Sequence, residues 1–369
     1  MLKTIKVKLN KTDDRSYKIV IGRNIIRKTG SALRGLDLGR NVFVITDSTV
    51  NRIYGKTLAT SLKKAGFTDT GKSVVPAGEA SKSFASFLKV QHGLYDYDKY
   101  QNKKVLIATL GGGVPGDLGG FIAGTYKRGV NYVQIPTTLL GFVDCGLGGK
   151  TAINFREAKN SIGLFWQPKL VYMDIECLKT IPLRELKSGL AEALKYGVIS
   201  DPAVFDFMEL NTEKLLLKDM AVYEKLIPVC VKIKAEVTSA DERDDKDIRI
   251  MLNFGHTIGH AIEAATNYKK YTHGEAISIG MCIAGDIAVK LKMFDFGDLI
   301  RLENLIENLG LPTTLKGCKL KDIMESMKHD KKFEAGENRF VLPVKLGKCK
   351  VVNNVPLKVI TEAIKSRLN

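Results

Sequence analysis

Apolar residues are patterned differently in the two parts of the chain. Up to about residue 180, short runs alternate between strand and helix character. YKIVIG and NVFVIT read as strands, KSVVP as a short one, and NYVQIP and LVYMD as two more. VLIATL is wholly apolar, the signature of a strand buried on both faces of a parallel sheet. Helical spacing lies between these runs, near 51–65, over 81–97, and from the glycine-rich turn after VLIATL through Tyr126. Alternation of this kind predicts a parallel sheet with helices on both faces. From Pro182 nearly everything reads helical: 183–197, 202–209, 220–239, 248–265, 274–292, 297–309 and 320–328. RFVLPVKL and KVVNNV then suggest a small hairpin, and 357–367 a closing helix. We therefore expect an α/β domain over 1–180 and a mostly α-helical domain over 181–369, with a ligand cleft between them.

The most unusual polar pattern falls in the stretch 249–275, which holds His256, His260 and His273, three of the five histidines. On one continuous helix, Arg249, Asn253, His256 and His260 share a sector of roughly 60°. Ile250, Met251, Leu252, Phe254, Ile258, Ala261 and Ile262 cover the remaining faces. A helix apolar elsewhere is buried, so the stripe must face a cavity or partners. Leaving four such groups unsatisfied would cost about 1–3 kcal/mol each. The stripe predicts a metal-binding or catalytic wall, joined by His273 from the start of the next helix. GLAEALKYG places Glu192 and Lys195 three apart on one helix face. Taken alone they suit an ordinary surface pair, but apolar flanks make Glu192 a candidate oxygen ligand beside two histidines. Glu275, in HGE, competes for that role.

After VLIATL, Gly111, Gly113 and Gly116 satisfy GxGxxG, and Pro115 suits the first turn of a helix. Such a turn admits a pyrophosphate at the helix N-terminus. The usual acidic residue about 20 positions on is missing, since that region reads NYVQIPTT. Asp47, at the end of an earlier strand and placed to cap the next helix, could supply the ribose contact. TYKRGV puts Arg128 before a strand. VDCGLGGKTAINFREAKNSIG, read as a loop, gathers Asp144, Lys150, Lys159 and Asn160 among glycines, a setting suited to an anion.

Composition narrows the field. No run of about 18 apolar residues exists, so no membrane span is expected. The N-terminus lacks an apolar signal core, and the six cysteines are scattered without CxxC spacing, as in a reduced, cytoplasmic protein. The net charge is +17, but its lysines are dispersed without a dense basic run or interleaved aromatics. That argues against nucleic-acid binding and for a basic surface or an anionic substrate.

Assembled in order, GGGVPGDLGGFIAGTYKRGV, QIPTTLL, VDCGLGGKTAIN, KNSIG, FWQPKLVYMD, GLAEALKYG, NFGHTIGHAIE, HGEAISIGM and DKK closely resemble the 3-dehydroquinate synthases among the sugar-phosphate cyclases. The resemblance implies conversion of 3-deoxy-D-arabino-heptulosonate 7-phosphate to 3-dehydroquinate and phosphate. It also implies bound NAD, a divalent metal (zinc above all, with cobalt possible) and a homodimer. Under it the metal ligands are Glu192, His256 and His273. NAD contacts map to Asp47, Glu79, Lys82, Gly112, Gly113, Val114, Pro115, Gly116, Asp117, Thr137, Thr138, Lys150, Lys159, Cys177, Leu178, Lys179 and Thr180. Substrate contacts map to Asp144, Lys150, Asn160, Lys195, Arg249, Asn253, His260 and Lys331, with Lys332 as the alternative to the last. Arg128 resembles a phosphate-binding arginine that family homodimers contribute across their interface. Pro115 and Ala77 are less typical of the family, and two stretches beside the substrate depart from its pattern. Cys145 and Gly146 stand where two serines are common, and Phe155 to Ala158 where His-Pro-x-Gly is usual. They keep open a related cyclase acting on another sugar phosphate. A glycerol-dehydrogenase-like metal-dependent oxidoreductase is the other alternative.

Overall fold

The computed structural model describes residues 14–99, 105–156, 158–328 and 338–369. Its first half is built on β1 (Lys18–Gly22), β2 (Asn41–Asp47), β3 (Thr70–Val75), β4 (Val105–Gly111), β5 (Tyr132–Pro136), β6 (Lys150–Phe155), β7 (Ala158–Phe165) and β8 (Leu170–Asp174). Six of these form one sheet in the order β1-β8-β5-β4-β2-β3, with every neighbouring pair parallel. β2 and β4 are buried along their whole length. They alternate between two cores, as the period of two requires. Phe43, Ile45, Val105 and Ile107 face one core, whereas Val42, Val44, Leu106, Ala108 and Leu110 face the other. The second core is continuous from Ile26 to Ile364, so the helices of the second half pack on that sheet face.

Chain order reverses between β2 and β4: β3 lies outward on one side, and β5 and β8 on the other. In an open parallel sheet, the crevice beyond the carboxyl ends of the strands at such a reversal is the natural ligand site. The glycine turn after β4 and Asp47 at the end of β2 flank it.

The helices are α1 (Thr29–Arg34), α2 (Ser48–Val50), α3 (Lys56–Lys64), α4 (Phe84–Asp98), α5 (Gly113–Thr125), α6 (Leu183–Ile199), α7 (Pro202–Leu210), α8 (Thr212–Leu216), α9 (Met220–Ala240), α10 (His256–Ala265), α11 (His273–Lys290), α12 (Phe296–Asn308), α13 (Leu320–Lys328) and α14 (Leu357–Lys365). β9 (Arg339–Lys345) and β10 (Lys348–Asn353) form the expected antiparallel hairpin. Among the described residues, no helix is long and apolar enough to cross a membrane.

Two expectations about local structure are corrected. The single helix over 248–265 is two pieces, a 3-10 turn at Arg249–Asn253 and then α10. Gly255 separates them with a left-handed φ of 76°, and a β-carbon there would stand 2.6 Å from Met281 Cγ. Only glycine combines that conformation with so close a packing. The anion-binding stretch read as a loop is largely an antiparallel hairpin, β6 with β7.

Candidate active site

Asp47, Gly112 to Asp117, Thr137, Thr138 and Cys177 to Thr180 lie at or follow the carboxyl ends of parallel strands, whereas Lys150 and Lys159 lie on the separate β6–β7 pair. Asp47 ends β2, and its Oδ1 caps α2 by accepting the Thr49 and Val50 amides at 2.9 Å each. Gly112 precedes α5 without a side-chain cap, which leaves the α5 N-terminus suited to an anion. Pro115 is the third residue of that helix. The backbone packs closely here: β-carbons on Gly112 and Gly113 would stand 3.1 Å from Thr138 Cγ2 and Cys145 Sγ. Thr137 donates its amide to the Gly111 carbonyl at 2.9 Å, locking the turn after β5 to the turn after β4. Lys82 is buried and bonds both Asp117 and Asn160, while Glu79 accepts from Asn154 at 2.8 Å. Cys177, Leu178, Lys179 and Thr180 form part of a 3-10 turn after β8, where Tyr54 bonds Thr180 at 2.8 Å.

The metal candidates converge from three helices. α6 is buried on nearly every side and carries Glu192 and Lys195, which are 0% and 1% exposed. That burial excludes the surface-pair reading. His256 and His273 are each the first residue of a helix. α11 starts against α6 because Gly274 has no side chain; a β-carbon there would stand 2.3 Å from the Ser188 carbonyl oxygen. Glu192 Oε1 consequently lies 3.3 Å from His256 Nε2 and 3.4 Å from His273 Nε2. The far ring nitrogens are occupied: His256 Nδ1 contacts the Phe254 carbonyl at 3.0 Å and His273 Nδ1 contacts Glu263 Oε2 at 3.3 Å. That arrangement turns both Nε2 atoms inward.

These donors fit a divalent cation. One carboxylate and two imidazoles present ligand atoms within 4.8 Å of one another. Both Glu192 oxygens are buried without an aligned hydrogen-bond donor, although Lys195 and the two rings stand close. Burial opposes charge on Glu192, but Lys195 and His256 outweigh it and hold the carboxyl well below its ordinary range. Burial and Lys195 together lower His256, which favours the neutral ring a ligand requires. Burial opposes charge on His273 too, but Glu192 and Glu263 raise it to about 10, so a bound cation would displace a proton there. Glu275 is not part of this group. Its oxygens bond Arg184 Nε at 2.8 Å, Arg184 Nη2 at 2.7 Å and the Thr272 amide at 2.7 Å, closing a capping box on α11.

Several further side chains are suited to a polyanion. His260 is exposed, with its ring centroid 5.3 Å from that of His256 and 6.0 Å from that of His273. Arg249 is buried; Nη1 reaches the Glu242 carbonyl at 3.1 Å and Nε has no partner. Asp241 fixes the approach to Arg249 by accepting four amides between Asp245 and Arg249. Asn253 ends the 3-10 turn, half-buried. Asp144 is held by Lys234, and Lys150 by Asp244 at 2.5 Å. Lys159 pairs with Glu263 at 3.0 Å and sits 4.3 Å from the Tyr268 ring centroid. Arg128 is exposed with a φ of 66° and makes no ion pair with another described residue. Lys179 turns to Glu176. Lys331 and its alternative Lys332 lie outside the described residues.

Lys234, Glu263 and Asp244 were not singled out from the sequence. Lys234 left a signal, since it interrupts the buried stripe Ile227, Cys230, Val231 and Thr238 on α9. Glu263 left one too, seven residues after His256 and three after His260 on α10. Asp244 sits in an irregular turn and left none.

Comparison with known proteins agrees with this architecture. The family model for the 3-dehydroquinate synthase N-terminal domain matches residues 72–188, and that for the C-terminal domain matches 189–333. A 3-dehydroquinate synthase from Desulforamulus reducens is 44% identical over 355 residues, covering 95% of this chain and 96% of its own. Among solved structures, a 2-epi-5-epi-valiolone synthase from Streptomyces hygroscopicus with NAD+ and Zn2+ bound superposes with a TM-score of 0.88 at 28% identity, covering 98% of this chain and 99% of that one. A 2-deoxy-scyllo-inosose synthase complexed with carbaglucose-6-phosphate, NAD+ and Co2+ gives 0.84 at 25% identity, covering 96% and 98%. The parallel sheet with its switch-point turn, the clustered glutamate and histidines and the near full-length likeness lead to one conclusion: this chain belongs to the 3-dehydroquinate synthase family.

Proposed function

We propose that the protein is a 3-dehydroquinate synthase, a carbon–oxygen lyase that converts 3-deoxy-D-arabino-heptulosonate 7-phosphate to 3-dehydroquinate and inorganic phosphate. The observation that carries this reading is the Glu192–His256–His273 cluster, with Lys195 against Glu192 and His260 beside His256, in a chain 44% identical to a 3-dehydroquinate synthase over nearly its full length. When bound, NAD supplies a reversible hydride acceptor, and the divalent metal, zinc in this reading, supplies Lewis acidity. Glu192, His256 and His273 hold the metal. The α5 N-terminus, with Gly112 to Asp117, Thr137 and Thr138 around it, receives the nucleotide, and Lys82 braces Asp117 from the side.

The remaining residues hold one flexible polyanion in a single conformation, which is where most of the rate gain arises. Lys150, Lys195, Arg249 and Lys331 neutralise carboxylate and phosphate, and Asp144, Asn160 and Asn253 orient hydroxyls. His260, at the edge of the imidazole cluster, relays protons. Arg128, which has no ion-pair partner among the described residues, serves a neighbouring subunit of a cytoplasmic homodimer. The division near residue 180 then separates a nucleotide-binding domain from a metal- and substrate-binding one, with the reaction in the cleft between them.

A related cyclase with another sugar phosphate is the second reading. It is favoured by Cys145 beside the glycine turn and by the likeness to two other cyclases. One assay decides. Purified protein with the heptulosonate phosphate, zinc and catalytic NAD should release phosphate in step with substrate consumed, and NADH should not accumulate. Accumulating NADH indicates a dehydrogenase, and preference for a different sugar phosphate indicates the related cyclase.

A further inference from the structure

Glu263 has no role in the reading above, yet its environment is built. It is 3% exposed, and burying a carboxylate is costly unless partners compensate. Both oxygens are used, and on different parts of the molecule. Oε2 meets His273 Nδ1 at 3.3 Å, on the face of the ring opposite the nitrogen that points to Glu192. Oε1 meets Lys159 Nζ at 3.0 Å, on β7. The next residue along β7, Asn160, bonds Lys82, which bonds Asp117, the fifth residue of α5. Two sets of polar contacts, Asp117–Lys82–Asn160 and Lys159–Glu263–His273, therefore meet at adjacent residues of β7.

We propose that Glu263 is a positioning residue. It fixes the ring orientation and tautomer of His273 so that Nε2 is presented to the metal, and it is itself held in place by Lys159. This rests on the metal-site assignment given under Proposed function. Imidazole ligands depend on such partners: losing one typically weakens metal affinity by about 10–100-fold. Glu263, His260 and His273 also present ligand atoms within 4.8 Å of one another, but Glu263 is not in the group formed by Glu192 and His256 with His273. It reaches the side of His273 turned away from Glu192, whereas His256 is pinned independently by the Phe254 carbonyl.

Zinc affinity, measured by chelator competition on nucleotide-free protein, and the visible spectrum of the cobalt-substituted protein test this without reference to turnover. Glu263→Gln keeps the length and one acceptor oxygen but loses the charge. Glu263→Asp keeps the charge but loses reach, and it serves if the glutamine variant does not fold. Each should bind zinc about 10–100-fold more weakly than the parent, and the cobalt bands should shift. Lys159→Met, at a half-buried hairpin position, should also shift the cobalt bands, because a lysine serving only the nucleotide would leave them unchanged. Zinc affinity within twofold of the parent and an unshifted spectrum in both Glu263 variants would overturn the inference. Failure of the parent protein to bind zinc would instead overturn the metal-site reading beneath it.

Discussion

Two acidic residues near the histidines illustrate how residue type and placement contribute to the site. Glu192 and Glu275 are equivalent as chemistry, and local sequence alone does not choose between them. The fold separates them through burial and partners: Glu192 is enclosed beside two Nε2 atoms, whereas both Glu275 oxygens are consumed by Arg184 and the α11 cap. The identity of the histidines was legible because three of five fall in one window. Lys234 and Glu263 were legible in principle as charges on otherwise buried helix faces. His260 gives the sharpest test at this scale. His260→Ala should lower turnover by about 10²–10⁴-fold, the range for losing a general acid–base group, while zinc content stays at the parent level. Loss of zinc on metal analysis would make His260 a ligand and remove its proton-relay role.

Among the elements, helix starts matter more than helix faces. His256 follows the left-handed Gly255, and His273 follows the Thr272 cap, so backbone geometry at two N-termini aims both rings. The periodicity that flagged the polar stripe treated 249–265 as one helix. His256 and His260 do lie together, but the helix does not continue back to Arg249, because a left-handed glycine leaves no trace in an apolar-spacing pattern. The β6–β7 hairpin was missed because its glycines and lysines suppress the alternation that identifies a strand. Capping also gives a pH signature. Burial opposes ionisation of Glu275, but Arg184 and the Thr272 groups outweigh it and lower its folded-state pKa below the ordinary value of 4.5. A depressed carboxyl stabilises the fold above that ordinary value, and the contribution is lost as pH falls through the folded value. Glu275→Gln should therefore be less stable than the parent at neutral pH, and the gap should narrow in acid. Thr272→Ala should cost about 1 kcal/mol. Denaturant melts across the acid range check both, and a gap that widens on acidification would contradict the assignment.

At the scale of the molecule, the architecture was the most legible part. All six strands of the parallel sheet left an apolar run, and the helical character after Pro182 was continuous. Sequence did not reveal the strand order, since pairing is set by packing between distant segments. That order sets two strand ends beside the glycine turn, those of β2 and β5. The reversal between β2 and β4 brings Asp47 against the turn, with Oδ2 3.2 Å from where a Gly111 β-carbon would sit. The net charge of +17 suits a protein whose substrate is a phosphorylated carboxylate, because a positive field speeds the encounter. Transient oxidation, in which bound NAD would take a hydride and give it back within one turnover at one site, is the step on which the proposed activity depends. It is tested most directly by rapid mixing of the zinc- and NAD-loaded protein with limiting heptulosonate phosphate, following reduced-nicotinamide absorbance and phosphate together. Absorbance should rise and return to its starting value while one phosphate is released per substrate. Absorbance that rises by one equivalent per substrate and stays there would contradict the account.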